Sequence, residues 1–462
     1  MRLAFLVAVA LATPASLRAQ AADPRALERE ILAELVEINT SDSAGRTREA
    51  AEAMARRLVA AGFPAEDVQV VGQEPRYQSL VARYRGRGRA KPILLMAHLD
   101  VVDARREDWS VEPYRLLERD GYYYGRGSSD NKAGAATLVA NFIRYRREGF
   151  LPDRDLIVVL TADEETSGNA IRWLVEQRRD LIDAEYALNT DGGGGELRDG
   201  KPVAFQVQTA EKVYLSFQLE VRNKGGHSSL PEPDNAIYRL GDGLGRLARF
   251  TFPVRLNETT RAFLSRAAAA QPPAIAADMR ALARSGDRAA AARLSTVPYY
   301  NSIVRTTCVA TRLFAGHADN ALPQLARAIV NCRMLPDHPA DSVQATLRRV
   351  LADTAIHLSR VREPVPSPPS PLRPDILGPV EQLVAEMWPG AAVVPEMSTG
   401  ATDGLYTRNG GIPTYGVGAI FERVDDVRAH GRDERVGVEA FHKAAEFWYR
   451  LVRTLAASPP QS

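Results

Sequence analysis

Acidic and imidazole side chains follow several apolar runs of the chain, and these are the residues whose spacing could do chemistry. Glu164 and Glu165 stand side by side after the run "LIVVL". His98 and Asp100 follow "PILLMA", and Asp191 comes two residues after "YALN". Neighbouring carboxylates repel each other and resist desolvation. The two glutamates therefore require positive charge close by, and divalent cations could supply it.

Two further residues extend this set of candidate metal ligands. Asp130 lies in the glycine-rich turn "GRGSSDNKAG" and His430 in "VRAHGRDERV". Taken singly, each has an ordinary structural explanation, such as a helix N-cap or a solvated loop residue. Jointly, histidine nitrogens and carboxylate oxygens suit zinc and related divalent ions. More than three protein ligands fit two metals that share a bridging carboxylate, about 3.5–4 Å apart.

The spacing of these residues also suggests separate tasks. His98 and Asp100 are two residues apart on one strand face, so Asp100 could hold one ring nitrogen of His98 while the other binds metal. Of the adjacent glutamates, one could bind metal while the other takes a proton from water.

Length and composition describe an ordinary globular protein. The chain has 462 residues, enough for two or three domains, with 45% hydrophobic and 25% charged residues. The formal net charge is +2, and removal of Arg2 and Arg18 with a leader would leave it neutral. Bulk charge therefore gives no indication of binding to nucleic acid or to an anionic membrane.

The first residues have the pattern of a cleavable leader. A short basic start precedes the apolar run "LAFLVAVALA", and an A-x-A-like site follows at Ala19 to Ala21. This predicts a signal peptide over residues 1–21. The run is too short to span a membrane, so we expect a periplasmic or secreted protein without a membrane anchor.

The chain contains two cysteines, Cys308 and Cys332, too few for a disulfide framework or a thiolate metal site. They lie in two segments that are predicted to pair as strands. In an exported protein they could form a cross-strand disulfide. A pair of buried free thiols is the alternative, and the sequence does not separate the two.

Strand-like and helical segments alternate through residues 22–209, and again in 370–462. This alternation predicts an α/β domain with a largely parallel sheet, whose functional residues lie at the carboxyl ends of its strands. Residues 210–369 follow a βαββαβ order, which predicts an inserted ferredoxin-like domain. Within it, the alanine- and arginine-rich stretch 255–300 is predicted to be a helical insertion.

The motifs, taken in order, resemble those of a known enzyme family. The chain is similar to the cocatalytic dinuclear zinc metallopeptidases that include glutamate carboxypeptidase, aminoacylase, carboxypeptidase S, acetylornithine deacetylase and succinyl-diaminopimelate desuccinylase. The matching segments are "MAHLDVV", "GRGSSDNKAG", "TADEETSG", "NTDGG", "GGHSSLP", "ADNALP", "NCRMLP", "STGATDG" and "AHGRDERV". Their joint order and spacing are far more specific than any one of them.

The resemblance implies two metal sites that share one ligand. His98, Asp130 and Asp191 would hold one ion, while Asp130, Glu165 and His430 would hold the other. The family often has glutamate where this chain has Asp191, although some members have aspartate. The implied cofactor is a pair of Zn²⁺ ions, with Co²⁺ or Mn²⁺ as substitutes.

The resemblance also implies roles around the metals. Glu164 would be the general base and Asp100 the partner of His98, with a cis peptide bond between Asp130 and Asn131. His227 would stabilise the oxyanion, and in family dimers the matching histidine comes from the other subunit.

Three further positions match those that bind the substrate in the family. Asn320 matches a polar substrate-binding residue. Arg333 matches a receptor for the substrate carboxylate, to which a guanidinium can pair bidentately. Gly400 lies in a loop whose backbone N–H groups face that carboxylate.

The expected function is metal-dependent hydrolysis of the amide bond next to a free-carboxylate residue, in dipeptides, short peptides or N-acyl amino acids. The inserted domain would be a lid, and a homodimer could form through it. Alternatives are a dinuclear phosphoesterase, a deacylase of another small amide, and a non-catalytic peptide-binding protein. The neutral chain lacks the cationic cradle that phosphate favours, and the intact Glu164 argues against a non-catalytic protein.

Overall fold

The computed structural model describes residues 23–457, so the predicted signal peptide lies outside the described part. None of the helices in this part is long and apolar enough to cross a membrane. The described strands, in chain order, are β1 (Val68–Glu74), β2 (Tyr77–Tyr84), β3 (Ala90–His98), β4 (Leu117–Arg119), β5 (Tyr122–Tyr124), β6 (Arg154–Thr161), β7 (Tyr186–Asn189), β8 (Gly194–Arg198), β9 (Lys201–Glu211), β10 (Val213–Arg222), β11 (Gly226–His227), β12 (Thr307–Ala315), β13 (Ala321–Leu322), β14 (Leu325–Met334), β15 (His357–Arg360), β16 (Ala392–Ser398), β17 (Thr414–Gly416), β18 (Phe421–Arg423) and β19 (Arg435–Gly437).

The described helices are distributed among these strands. They are α1 (Pro24–Glu37), α2 (Thr47–Ala60), α3 (Lys132–Glu148), α4 (Asn169–Gln177), α5 (Arg179–Ile182), α6 (Ala236–Arg249), α7 (Glu258–Ala267), α8 (Pro273–Ser285), α9 (Arg288–Leu294), α10 (Pro298–Ile303), α11 (Ala340–Leu351), α12 (Pro374–Met387), α13 (Gly404–Asn409) and α14 (Val438–Ala456).

A ten-stranded sheet forms the centre of the molecule. Its order is β1-β2-β6-β3-β7-β17-β9-β8-β18, with β16 paired to β9. Five of the strand pairs are parallel, and they include the central β6-β3-β7. Side chains of β3 alternate between two cores: Leu95 packs towards α1, α3 and α14, and Met96 towards α4 and α13. The predicted α/β fold with a mostly parallel sheet is confirmed.

A second sheet has the order β12-β14-β10-β15 and is antiparallel throughout. Helices α6 and α11 share one core with it, so its elements follow the order βαββαβ. Leu240 and Leu247 of α6 enter this core. Ile237 lies three residues before Leu240, a spacing that predicts the same helix face, but it is 42% exposed. Strand β9 stays in the large sheet to Glu211, so the chain changes sheets at Lys212 rather than at 210.

The helical stretch predicted at 255–300 forms α7 to α10, but it does not pack within the small sheet's core. Phe263 and Met279 from its helices share a core with Ala204 of β9 and Val394 of β16, both in the large sheet. The insertion thus interrupts the small domain in sequence and packs on the large one. Buried Lys212, between β9 and β10, contacts the end of the insertion. Its Nζ donates to the carbonyl oxygens of residues 302 and 305, at 2.6 and 2.8 Å.

The two cysteines form a disulfide. Cys308 of β12 lies directly opposite Cys332 of β14, so the bond joins the edge strand of the small sheet to its neighbour. Of the two readings left open by the sequence, the cross-strand disulfide is confirmed.

Candidate metal centre

Three adjacent parallel strands bring the first candidate ligands to one edge of the large sheet. His98 is the last residue of β3, and Asp191 follows the end of β7. Glu164 and Glu165 follow β6 in a turn. Because the carboxyl ends of parallel strands meet at the same edge, residues distant in sequence converge there.

Asp130 and His430 reach this edge from two loops. Asp130 precedes α3, and His430 lies before β19 in a left-handed backbone conformation with φ of 62°. The structure therefore brings together all five residues for which metal binding was predicted. They form two groups whose ligand atoms lie within 4.8 Å of one another: His98, Asp130 and Asp191, and Asp130, Glu165 and His430.

Asp130 lies between the two histidines. His98 Nε2 is 3.0 Å from Asp130 Oδ1, and His430 Nε2 is 3.2 Å from Asp130 Oδ2. On the outer sides, His98 Nε2 is 4.0 Å from Asp191 Oδ2, and His430 Nε2 is 2.8 Å from Glu165 Oε1. Donor atoms about 2.0–2.2 Å from one ion lie roughly 3–4 Å apart, so the donor set fits two divalent ions with Asp130 between them.

The charges of the site support the same conclusion. Burial, together with the nearby charges of Asp130 and Asp403, raises the pKa of Asp191 to about 8 despite the opposite effect of His98. Burial and Asp191 also raise the pKa of Glu164 well above its usual value. The described residues thus leave negative charge at this edge only partly balanced, and a divalent cation would balance it.

The contacts of His98 fix its tautomer. Its Nδ1 lies 2.9 Å from the backbone oxygen of Asp100, and a carbonyl can only accept, so Nδ1 carries the proton. Nε2, which faces Asp130, is then free to bind a metal. The sequence predicted the Asp100 side chain as the partner, but its Oδ1 is 3.6 Å from Nδ1, beyond hydrogen-bond distance.

The Asp100 carboxylate instead supports the two glutamates. It accepts hydrogen bonds from the backbone N–H groups of Glu164 and Glu165, at 3.1 and 2.9 Å. Asp100 is buried, so this contact fixes the turn that carries both side chains. Glu164 also falls in a close group with His98 and Glu165. Its carboxylate therefore lies within reach of both candidate ion positions.

A residue that sequence reasoning missed holds the Asp130 loop. Glu434 is fully buried and accepts hydrogen bonds from the backbone N–H groups of Gly127, Ser129 and Asp130, at 2.9 to 3.0 Å. Its Oε2 also pairs with Arg126 Nη1 at 2.7 Å. The only signal for Glu434 was its place four residues after His430 in "AHGRDERV".

Arg126 extends this contact to the second loop. Its Nη2 donates to the carbonyl oxygen of Gly431 at 3.0 Å, one residue after His430. The Glu434–Arg126 pair therefore joins the loop of the shared ligand to the loop of the outer histidine. The peptide bond between Asp130 and Asn131 is cis, as the family resemblance implied.

Asp403 is a second residue that was missed, although "STGATDG" contains it. It is buried at the start of α13, and its Oδ2 accepts from Thr161 Oγ1 at 2.5 Å. Burial raises the pKa of Asp403 to about 7, against the effect of this hydrogen bond. Its carboxyl group thus contacts the last residue of β6, three residues before Glu164.

His227 and Asn320 lie together, apart from the groups of ligand atoms. His227 pairs through β11 with β13, and the N–H of Ser228 donates to the backbone oxygen of Asn320 at 3.0 Å. The imidazole Nδ1 accepts from the N–H of Ser229 at 3.1 Å. Both His227 and Asn320 are exposed, and neither belongs to the close groups of ligand atoms in residues 23–457.

Arg333 and Gly400 form another group. Arg333 Nη1 donates to the carbonyl oxygen of Thr399 at 3.1 Å, and its guanidinium lies 4.7 Å from the ring centroid of Tyr214. The Gly400 N–H, which was predicted to face a substrate carboxylate, donates instead to Ser398 Oγ at 3.0 Å. Arg333 thus contacts the loop that contains Gly400. The Gly400 N–H itself is already bonded to Ser398.

Residues 94–454, which contain all the predicted site residues, match the model of Peptidase family M20/M25/M40. Human N-fatty-acyl-amino acid synthase/hydrolase PM20D1 is 29% identical over 375 residues, which are 79% of this chain and 74% of that protein. PM20D1 of Xenopus tropicalis is 30% identical over 380 residues, 78% of this chain and 72% of that protein.

The fold is also found among solved structures. The M20 family metallo-carboxypeptidase Sso-CP2 from Sulfolobus solfataricus superposes with a TM-score of 0.69, covering 93% of this chain and 99% of that one. The two sequences are 16% identical, so this likeness concerns the fold alone.

Proposed function

Because the chain belongs to Peptidase family M20/M25/M40, a family of metal-dependent hydrolases, we propose that it cleaves the amide bond next to a free-carboxylate residue. The substrates would be dipeptides, short peptides or N-acyl amino acids. The observation that carries the proposal is the pair of ligand groups sharing Asp130, with the Glu164 carboxylate beside them. The names of the relatives, which include an N-fatty-acyl-amino acid hydrolase, support the substrate class.

Two Zn²⁺ ions are the proposed cofactor, with Co²⁺ or Mn²⁺ as substitutes. His98 and Asp191 would hold one ion and Glu165 and His430 the other, with Asp130 shared between them. When bound, such ions lower the pKa of a coordinated water towards neutrality and polarise the substrate carbonyl. Nitrogen and carboxylate donors without thiolates suit this group of metals.

Glu164 is the proposed general base. Its carboxylate would take a proton from the attacking water and deliver it to the leaving nitrogen. Burial and the charge of Asp191 raise the pKa of this carboxyl above its usual value, which makes it a stronger base for the proton of the attacking water. Asp100 would hold Glu164 in place through the backbone N–H that it accepts from.

The remaining site residues would bind the rest of the substrate. Arg333 would pair with the free carboxylate, assisted by Asn320 and by Gly400 once its N–H is released from Ser398. His227 would donate to the tetrahedral oxyanion. Since His227 is exposed on its ribbon, we assign this contact to the neighbouring subunit of a homodimer formed through the lid.

The domain roles follow from these assignments. Residues 22–209 and 370–462 would form the catalytic domain and 210–369 the inserted lid domain, whose small sheet would close over the substrate and exclude water, while its insertion at 255–300 stays packed on the large sheet. The leader at 1–21 would direct the protein to the periplasm or the medium. Sequencing the N-terminus of the exported protein would test the leader, and light scattering would test the dimer.

The decisive experiment combines metal analysis with a substrate panel. Purified protein would be assayed on matched dipeptides, N-acyl amino acids and their carboxyl-amidated forms, before and after chelation. We expect about two metal ions per chain, loss of turnover on chelation and its recovery with Zn²⁺, and little cleavage of amidated substrates. Chelator-resistant turnover would contradict the metal role, and equal cleavage of the amidated forms would contradict the role of Arg333.

A further inference from the structure

Glu422 has a carboxylate without a partner beside the candidate metal centre. It is the middle residue of β18, and no hydrogen bond or ion pair joins its side chain to any residue in 23–457. Its neighbour Phe421 points the other way and packs in the main core. The charged groups that act on Glu422 are Glu434, Asp426 and Asp130, and all three are acidic. An unpaired carboxylate in such surroundings is neutralised either by a proton or by a cation that binds beside it.

Glu422 lines a cavity of about 190 Å³ that reaches the metal ligands. Asp130, Asp191, Ile420 and Glu422 are among the residues that line it. Part of the wall is the backbone of three successive glycines, residues 192–194. At Gly193, with φ of 67°, a side chain would bring its Cβ within 2.4 Å of the Gln206 carbonyl oxygen, so the backbone itself must form the wall.

The cavity shares no residue with the proposed carboxylate receptor. Arg333 and Gly400 are not among its lining residues, and it is built from the segments that follow β7 and β17. A substrate whose carboxylate is held by Arg333 extends through the scissile amide to its acyl side. The acyl side is thus the part of the substrate available to enter this cavity.

The chemistry of the cavity distinguishes two kinds of acyl group. Its volume is below the roughly 300 Å³ at which ordinary ligand pockets begin, so it would accommodate a small residue rather than a long chain. In a dipeptide, the α-carbon next to the scissile carbonyl carries a protonated amino group. Burial, followed by the charges of Glu434 and Asp426, raises the pKa of Glu422 to about 7, and an ammonium group at hydrogen-bond distance would restore the charged carboxylate.

We infer that this cavity receives the first residue of a dipeptide and that Glu422 accepts hydrogen bonds from its free amino group. The inference rests on the proposed function and narrows it: the protein prefers dipeptides with a free amino group to N-acyl amino acids. Glu422 is then a specificity residue, since it touches the substrate without taking part in the proton transfers.

An isosteric pair of substrates tests this directly. Glycyl-leucine and propionyl-leucine share the scissile amide and the free carboxylate, and differ by an ammonium group in place of a methyl group. We expect the wild type to favour glycyl-leucine in kcat/KM by about 10- to 100-fold, the range for a hydrogen bond to a charged group. Glu422→Gln should lose that preference and cleave propionyl-leucine at about the wild-type rate.

Glu196→Gln is the matched control. Glu196 lies opposite Glu422 on β8, but its carboxylate already accepts from Gln206 Nε2 at 2.7 Å and it is not among the residues lining this cavity. This variant should keep the substrate preference. Metal content and thermal midpoint would be measured for both variants, and Glu422→Asp, which retains the charge, should keep part of the preference even if the glutamine variant folds poorly.

The outcomes separate this inference from the proposed function. Cleavage of both substrates with no preference, or equal losses on both in Glu422→Gln, would overturn the role of Glu422 and leave the hydrolase intact. Failure of the metal-loaded wild type to cleave either substrate would overturn the proposed function, and this inference with it.

Discussion

The carboxylate of Glu434 accepts a hydrogen bond of 3.0 Å from the backbone N–H of Asp130, the residue placed between the two candidate ion positions. Glu434 has no exposed surface, and its other contacts hold the same loop and Arg126. The buried Glu434 carboxylate thus holds the backbone of the residue that carries the shared ligand. The contact converts a glycine-rich turn into a rigid support for the shared ligand.

Glu434→Gln should weaken metal binding. One oxygen becomes an NH₂ group that faces backbone N–H donors or Arg126, so at least one hydrogen bond is lost and a donor faces a donor. We expect metal affinity to fall about 10- to 100-fold, as measured by competition with a chromophoric chelator. Glu439→Gln, at a position paired with Arg25 and 77% exposed, is the control. Unchanged affinity in Glu434→Gln would remove Glu434 from this role.

Glu164→Gln should separate metal binding from turnover. The amide keeps the shape of the side chain but cannot accept the proton, so we expect kcat to fall about 10²- to 10⁴-fold. Metal content and thermal midpoint should stay close to those of the wild type, because Glu165 remains to bind the ion. Loss of one metal ion from the variant would show that Glu164 is a ligand.

Arg333→Lys should raise KM more than it lowers kcat. Lysine keeps the charge but not the planar fork that pairs with a carboxylate, so we expect kcat/KM to fall about 10- to 100-fold. Arg312→Lys is a matched control: Arg312 is exposed, and its guanidinium also lies over an aromatic ring, 4.8 Å from the centroid of Phe314. Similar losses in both variants would contradict a specific role for Arg333.

Glu396→Gln should stabilise the protein at alkaline pH but not at acid pH. Burial and the neighbouring Glu196 raise the pKa of Glu396 to about 7, above its ordinary value of 4.5. Between these values the native protein holds a proton that the unfolded chain releases, so the free energy of unfolding falls as pH rises. In the variant this fall in the free energy of unfolding, on the order of 1–3 kcal/mol, does not occur.

Thermal midpoints of both proteins at pH 5 and pH 8, with saturating Zn²⁺, would measure this difference. The variant should gain a few degrees at pH 8 and little at pH 5. Glu381→Gln, at an exposed position, should show no such change. A gain of equal size at both pH values would contradict the assignment to Glu396.

The convergence of the candidate ligands could be predicted because it follows from parallel strands. His98 and Asp191 follow apolar runs, and neighbouring parallel strands end at one edge, so their meeting needs no long-range information. The support from Glu434 could not be predicted in this way. It lies in an irregular loop without periodicity, about three hundred residues after the turn that it holds, and the fold alone brings the two together.

The packing partner of the helical insertion also could not be predicted from the sequence. The alanine- and arginine-rich composition of residues 255–300 indicated helices, but composition does not say which sheet those helices cover. Ile237 of α6 gives a smaller example, since its spacing fitted the core face while its side chain lies at the exposed margin of the helix. Register within a helix is predictable, but the width of its buried stripe depends on the partner.

Because the insertion is anchored on β9 and β16, the polypeptide passes between the two sheets four times: at Lys212, in 250–257, in 304–306 and in 361–373. Any swinging of the smaller sheet must flex all four passages together, and the Lys212 ammonium ties the first of them to the third. We therefore expect the packing of α7 and α8 on the large sheet to restrict any movement of the small sheet relative to the large one.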